Sequence, residues 1–482
     1  MDTFVNELPE LDPQTWAETH FGELDLGHEK RNQRAVQTAA AFATQPGKSI
    51  PQTCGSWYDV KATYEFFAHP AVTPDELQAT HRELTLARLQ QPGIYLLVED
   101  TTEPSWSGKK PRPGLGPVGD KHSTRQGFQL HSTLALAWPA ACAPDAQGQR
   151  PALEIIGLAD QQSVVRKSVP AGETRHARLL RERESEIWET TTTRLGTAPA
   201  RATIHWIRVC DRGADIYEFL WSCQREGHGF IVRAAQDRAV VNAAGEPAGR
   251  LFATARRQAA VGTFNLVLRG RDGQAARTAC LSVSATTVKV RSPWRPGHGR
   301  GTQPPISCTV VRVWEAAPPA GVKALEWMLL CDATVTTLAE ALTIALQYAT
   351  RWLVEEFHKA LKTGLGIEKL QLETGAELMS AIALLSVVAL RLLHLREVVR
   401  LVPDAPAAAS GLSSLELEVL AAKTQRRLTT VRDVGLALGR LGGHLNRKSD
   451  GLPGWITLWR GYLTLQTLVE GVRLSHKLEN TG

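Results

Sequence analysis

The chain has 482 residues, 43% hydrophobic and 22% charged, with a net charge of +6 and an isoelectric point near 8.9. These values describe a globular protein with room for roughly two to four domains. They exclude neither an enzyme nor a nucleic-acid binder, because mild basicity permits a polyanionic partner without requiring one.

The N-terminus, "MDTFVNELPELDPQTWAETH", is acidic and lacks an apolar signal core. Residues 16–91 read as helices separated by turn signals such as "QPGKSIPQTCGS" and "HPAVTPDEL". "GHEKRNQRAVQTAAAFA" starts with His28, Lys30, Arg31 and Arg34 and continues as an apolar face, a pattern common in merely solvated helices too. In "AVTPDELQATHREL", Thr73 is placed to cap a helix with Pro74 at its first position.

The texture then turns to strands: "GIYLLVED", "GFQLHSTLALAW" and "ALEIIGLADQQSVV". The charged segment "ETRHARLLRERESEIWETTTTRLG" reads as a helix. The strand "TIHWIRVCD", the helix "GADIYEFLWSCQREG" and the strand "GFIVRA" follow. Residues 250–332 are β-rich, with basic stretches at "KVRSPWRPGHGRG" and, earlier, "KKPRPG". Either stretch suits a loop along a DNA backbone or an ordinary connection. Seven scattered cysteines without a C-x-x-C pair suggest neither a disulfide framework nor a thiolate zinc site, and fit a reducing cytosol.

"QYATRWLVEEFHKALKTGLG" follows the β-rich stretch and reads as a striped helix. With Tyr348 at zero, Arg351, Glu355, Lys359 and Lys362 fall at about −60°, −20°, +20° and −40°. Leu346, Leu353, Phe357 and Leu361 form the apolar back. Next, "LMSAIALLSVVALRLLHL" reads as a buried core helix, because its uncharged run stops at Arg391, short of the ~20 residues of a spanning helix. After "VPDAPAAASG" the chain is helical to its end.

A lone glutamate on a helix is usually solvated, and a divalent cation needs further oxygen ligands. Two apolar strands end in an aspartate: "IYLLVED" in Asp100 and "IHWIRVCD" in Asp211. Strand carboxyl ends are where sites collect in open α/β folds. Three converging carboxylates repel one another unless cations fill the gap. Two Mg²⁺ or Mn²⁺ ions would relieve that repulsion and activate a water or 3′-hydroxyl at a phosphodiester. Glu356 turns about 100° from Glu355, which suits a structural role, and Asp215 merely flanks Asp211. His131, on a strand, suits a satisfied core position.

These features resemble the DDE transposases of the insertion-sequence-four family, whose signature Y-x-x-R-x(3)-E-x(6)-K is present as Tyr348, Arg351, Glu355 and Lys362. "VEDTT", "VCDRGADIY", "LEWMLL", "RWLVEEFHKALKTG" and "LGRLGGHLNRKSDGLPGWITLW" extend the resemblance over most of the chain, while "GSWYDVKATYEFF" departs from the pattern. The resemblance implies an α/β fold: a ribonuclease-H-like catalytic core over residues 76–400 with a β-rich insertion at about 237–333. Helical domains are implied at 1–75, for transposon end recognition, and at 401–482, for dimerisation.

It also implies cut-and-paste transposition in the bacterial cytosol, with a hairpin intermediate and joining of 3′ ends to target DNA by a homodimer, without a membrane. Asp100, Asp211 and Glu355 would be catalytic and bind Mg²⁺, with Mn²⁺ able to substitute. Tyr348, Arg351 and Lys362 would grip phosphate, with Lys359 beside them, and Arg31 and Arg34 would meet the transposon end. Trp327 would stack on a flipped base, worth about 1–3 kcal/mol, although Leu325, Trp327 and Leu329 also alternate as a core strand face does. A DNA-binding protein without catalysis and a ribonuclease-H-like junction nuclease are the alternatives.

Overall fold

A computed structural model describes residues 12–108, 111–119, 123–139, 151, 153–167, 172–174, 184–242, 244–268, 277–293, 303–447 and 450–479. Short helices open it: α1 (Pro13–Phe21), α2 (Glu29–Thr44), α3 (Ile50–Thr53), α4 (Trp57–Ala68), α5 (Pro74–Leu77) and α6 (Ala79–Leu89). Their starts follow local chemistry. The Asp12 carboxylate accepts the Thr15 N–H at 2.9 Å, with Pro13 in the first turn. The Ser56 hydroxyl caps α4, and Thr73 before Pro74 caps α5 as its pattern predicts. On α2 the small residues Ala35, Ala39 and Ala43 face inward beside Phe42, in one cluster with Trp16 and Phe21 of α1.

The sheet begins with β1 (Gly93–Thr102), β2 (Gln129–Trp138) and β3 (Glu154–Val164), an antiparallel succession. After α7 (Ile187–Leu195), β4 (Ile204–Cys210) lies parallel to β1. The helix α8 (Tyr217–Arg225) then leads to β5 (Gly229–Arg233), which lies parallel to β4. The β-rich stretch contributes β6 (Ala239–Val241), β7 (Pro247–Arg250), the helix α9 (Leu251–Arg256), β8 (Gly262–Leu268), β9 (Arg277–Val290), β10 (Ile306–Trp314) and β11 (Glu326–Cys331).

These later strands do not stand apart. β11 pairs antiparallel with β5, for example Leu330 opposite Val232. Among the described residues this gives one 11-stranded sheet, ordered β7-β6-β9-β10-β11-β5-β4-β1-β2-β3, with β8 on β9. The β-rich stretch is thus continuous with the sheet formed by β1 to β5. The physical reason is the free edge of β5, whose N–H and C=O groups β11 satisfies.

Both sheet faces are covered. On β1, Leu96 and Val98 join the main core, whereas Tyr95 and Leu97 join a smaller cluster with Leu89 and Trp206. Alternation along the strand carries Glu99 to the second face and Asp100 to the first. That first face meets α10 (Leu338–Ala349), opened by a Thr337/Glu340 capping box, and α11 (Trp352–Lys359).

The long helix α12 (Gly375–Leu401) is the mast of the molecule. It is long and apolar enough to cross a membrane, yet 89% of its most apolar window is buried inside the protein. Each leucine so buried contributes about 1.5–3 kcal/mol. N-terminal helices are pinned to it: Arg391 donates to the Ala43 carbonyl at 2.9 Å, and Ser380 to that of Val72 at 2.7 Å. The long helix also packs against α14 (Val431–Leu441) and α15 (Trp455–Glu479), and α13 (Ser414–Thr424) packs on both of these. A Cβ at Gly461 would fall 1.8 Å from the Leu438 carbonyl oxygen, so α14 and α15 approach this closely only because that position lacks a side chain. Cys54, Cys210, Cys223, Cys280, Cys308 and Cys331 are free thiols.

Candidate active site

Asp100 lies near the end of β1, and Asp211 directly follows β4. Because β1 and β4 are parallel neighbours, with Val98 opposite Val209, their carboxyl ends lie side by side. Val98 and Val209 share the main core with Leu353 and Phe357 of α11. Two residues further along each strand, alternation sends Asp100 and Asp211 toward the same helix, which carries Glu355. Asp211 also accepts the Gly213 N–H at 2.7 Å, which fixes the turn after β4.

The striped helix is not one uniform helix. Between α10 and α11, Thr350 and Arg351 keep right-handed helical angles but tighten to three-residue bonds, Arg351 N–H to Tyr348 O at 3.0 Å. After α11 the backbone widens into a π turn, Ala360–Gly364, which carries Lys362. The apolar back is as expected, with Leu346, Leu353, Phe357 and Leu361 buried.

Arg351 joins the carboxylates. Its Nη1 donates to Asp100 Oδ2 at 3.1 Å and its Nη2 to Glu355 Oε1. Burial pushes the Asp100 carboxyl above its ordinary pKa, Arg351 pulls it back, and Asp211 and Glu355 push it up again. The three acids therefore sense one another, with a guanidinium bound to two of them. Among the described residues, no group of three or more His, Cys, Asp or Glu side chains is set to hold a metal ion as it stands. In chemistry the set fits Mg²⁺ or Mn²⁺, since its donors are all hard carboxylate oxygens.

The other sequence-derived residues divide. Tyr348 is buried beside the site, and its ring meets Trp327 edge-on at 5.4 Å between centroids. Trp327 on β11 is half-buried, packed on the core on one side and open on the other. Lys362 donates to the Glu103 carbonyl at 2.9 Å and lies 3.9 Å from Glu368, and burial lowers its pKa. Lys359 is exposed.

Arg31 and Arg34 belong to α2, outside this cluster. Arg31 turns toward the Leu26 carbonyl and His69, and Arg34 pairs with Asp59 at 3.0 Å. Lys109, Lys110, Trp294, Arg295, Arg300 and the first part of the charged helix near 175–183 lie outside the described residues.

Glu356 is buried and receives Arg396 of α12, as its angle on the helix suggested. Asp215 is structural as well, accepting the Ala235 and Gln236 N–H groups and Arg238 Nε. His131 bridges Glu99 at 3.2 Å and Thr101 at 2.8 Å.

Sequence reasoning missed the pair that His131 touches. Glu99 and Arg208 are fully buried and joined side-on, Arg208 Nε and Nη2 each donating to one Glu99 oxygen, while Arg208 Nη1 donates to Thr192 at 2.8 Å. Burial alone would raise the Glu99 carboxyl, but Arg208 overcomes this and holds it well below its usual range. The pair sits directly behind Asp100. Its signal was a charge of each sign inside an apolar strand run, "IYLLVED" and "HWIRVCD".

With that geometry established, a comparison bears on the N-terminal helices. Residues 13–72 match a family model described as transposase DNA-binding, over the segment that holds α1 to α4. The match supports a transposase that binds DNA through its N-terminal segment.

Proposed function

We propose that the chain is a cut-and-paste DNA transposase of the DDE type, in the insertion-sequence-four family and resembling the transposon-five transposase in its motifs. The observation that carries this reading is the meeting of Asp100 and Asp211, from adjacent parallel strands, with the helix bearing Glu355 and Arg351. The order β3-β2-β1-β4-β5, antiparallel then parallel, supports a ribonuclease-H-like core. The 13–72 match supports end recognition by the N-terminal helices.

In this reading Asp100, Asp211 and Glu355 hold Mg²⁺ or Mn²⁺, which would activate the attacking oxygen and stabilise the departing one. Arg351 leaves the carboxylates for a phosphate, which its planar fork fits in the same bidentate way. Lys362 adds a point charge, and Tyr348 and Trp327 frame the place where an unstacked base would rest. Water first attacks the phosphodiester at the transposon end and frees a 3′-hydroxyl. That hydroxyl attacks the opposite strand, closing a hairpin. The hairpin is hydrolysed, and the 3′-hydroxyl finally attacks target DNA. Each step exchanges one phosphorus–oxygen bond for another, so the same carboxylates serve throughout. The C-terminal helices α13–α15 would pair two copies so that two ends are held together.

The test is incubation of the full-length chain with Mg²⁺ and the DNA flanking its own gene. Hairpin-ended fragments and strand-transfer products are expected, and both should disappear in Asp211→Asn. Binding without cleavage would replace this reading with a non-catalytic DNA-binding protein. Cutting of branched DNA regardless of end sequence would replace it with a junction nuclease.

A further inference from the structure

Trp57 and Tyr58 open α4 with 79% and 73% of their surfaces exposed. Elsewhere in this segment the large aromatic rings are packing material: Trp16, Phe21, Phe42, Phe66 and Phe67 are all buried. A single exposed aromatic residue needs no explanation, but two rings about 100° apart around one helix start leave an unusual amount of apolar surface in solvent, and such exposure marks contact surfaces.

The surroundings favour a polyanion. The Ser56 hydroxyl caps the Asp59 N–H at 3.2 Å, so the N–H groups of Trp57 and Tyr58 lie in the helix's first turn, where no intrahelical acceptor exists. A helix start of this kind offers donors and a positive dipole end to phosphate. Lys61, one turn on, is 67% exposed and only loosely paired with Glu65 at 3.7 Å. Asp59, between the rings and Lys61, holds Arg34 at 3.0 Å and is itself held by Ser56 Oγ at 2.7 Å. That arrangement ties the guanidinium to the first turn of α4. All of these residues lie within the segment matching transposase DNA-binding domains.

We infer that Trp57 and Tyr58 are a direct contact to double-stranded DNA. Their rings pack on bases and deoxyriboses in a groove while the adjacent cations meet the phosphates. This rests on the reading of residues 13–72 as DNA-binding. An aromatic contact of this kind supplies affinity without releasing counterions, which separates it experimentally from a lysine or arginine contact.

The test uses full-length protein and a duplex that the wild-type chain enriches from a random-sequence pool. The double variant Trp57→Ala/Tyr58→Ala is expected to bind that duplex at least about 5-fold more weakly, with an unchanged slope of log affinity against log salt. Trp57→Phe should retain most of the affinity. Lys61→Ala should instead flatten the salt slope. Unchanged melting of each variant shows that the fold survives. Wild-type affinity in the double variant would overturn the inference. So would a double variant that binds DNA normally but loses a dimer seen by sedimentation, which would assign the rings to a second copy of the chain. If the wild-type chain enriches no duplex at all, the DNA-binding reading itself fails, an outcome separate from binding that ignores the two rings.

Discussion

Glu99 and Asp100 are consecutive on β1 and face opposite sides of the sheet, where their carboxylates meet opposite electrostatic conditions. Glu99 is fully buried, clamped by Arg208 and His131, and held deprotonated. Asp100 is mostly buried with 21% of its side chain exposed, shares one guanidinium with Glu355, and has its pKa pushed up by burial and by two further acids. The first is a closed arrangement in which every strong charge has its partner. The second is left short of positive charge at the surface, which is where an incoming cation or phosphate would be stabilised. On the proposed function, the contrast separates a charge that holds the fold from one kept available for chemistry.

The comparison can be broken most severely on the Asp100 side. Asp100→Asn, Asp211→Asn and Glu355→Gln should each lower DNA cleavage by at least about 10³-fold, the several kcal/mol that a metal clamp contributes. Binding of end DNA should change little. Asp100→Asn carries a second expectation. Its folded pKa is raised, so its stabilisation is complete below the ordinary aspartate pKa and is lost as pH rises through the folded pKa. The variant should therefore melt higher than wild type at neutral pH, and the gap should close in acid. A variant that melts lower at neutral pH would show that Asp100 is structural like its neighbour.

On the Glu99 side the effect should be on stability. Arg208→Met leaves a buried carboxylate unpaired and should cost about 3–5 kcal/mol, measured by denaturant unfolding. Glu99→Leu combined with Arg208→Met should cost less than Arg208→Met alone, because the double change removes both charges. A double variant whose cost equals the sum of the two single costs would mean that the pair is not coupled.

Arg351→Ala should give an intermediate effect. Without its guanidinium Asp100 and Glu355 repel, so the variant should melt lower than wild type in chelator and regain part of the loss in Mn²⁺. Hairpin formation should fall more than DNA binding does, and equal losses in cleavage and gel-shift assays would count against a role on phosphate. Lys359→Ala should have the smallest effect: unchanged melting, slightly weaker DNA binding, and a salt slope reduced by about 1.

What the sequence made legible was local. Apolar runs ending in Asp100 and Asp211, the cap at Thr73 with Pro74, and the apolar back of the striped helix depend on neighbours a few residues away. The period of the chain reports these directly. The tightening at Thr350 and the π turn at Lys362 were not legible, because a few degrees per residue leave the polar pattern intact. Nor was the pairing of β11 with β5, since strand partners are chosen by a free edge roughly a hundred residues distant in sequence. Arg31 and Arg34 illustrate the same limit. Their charge was visible, but His69 and Asp59, which hold them, come from elsewhere in the fold. The Glu99–Arg208 pair was written in the strands as two misplaced charges, yet only the register of β1 on β4 brings them together.

Manganese binding tests the central claim most directly, by electron paramagnetic resonance on the full-length chain bound to its end DNA. Ions bound by the wild-type complex should be lost when Asp100, Asp211 and Glu355 are replaced together by Asn, Asn and Gln. Equal manganese binding in both complexes would contradict the claim that these three acids share a catalytic ion.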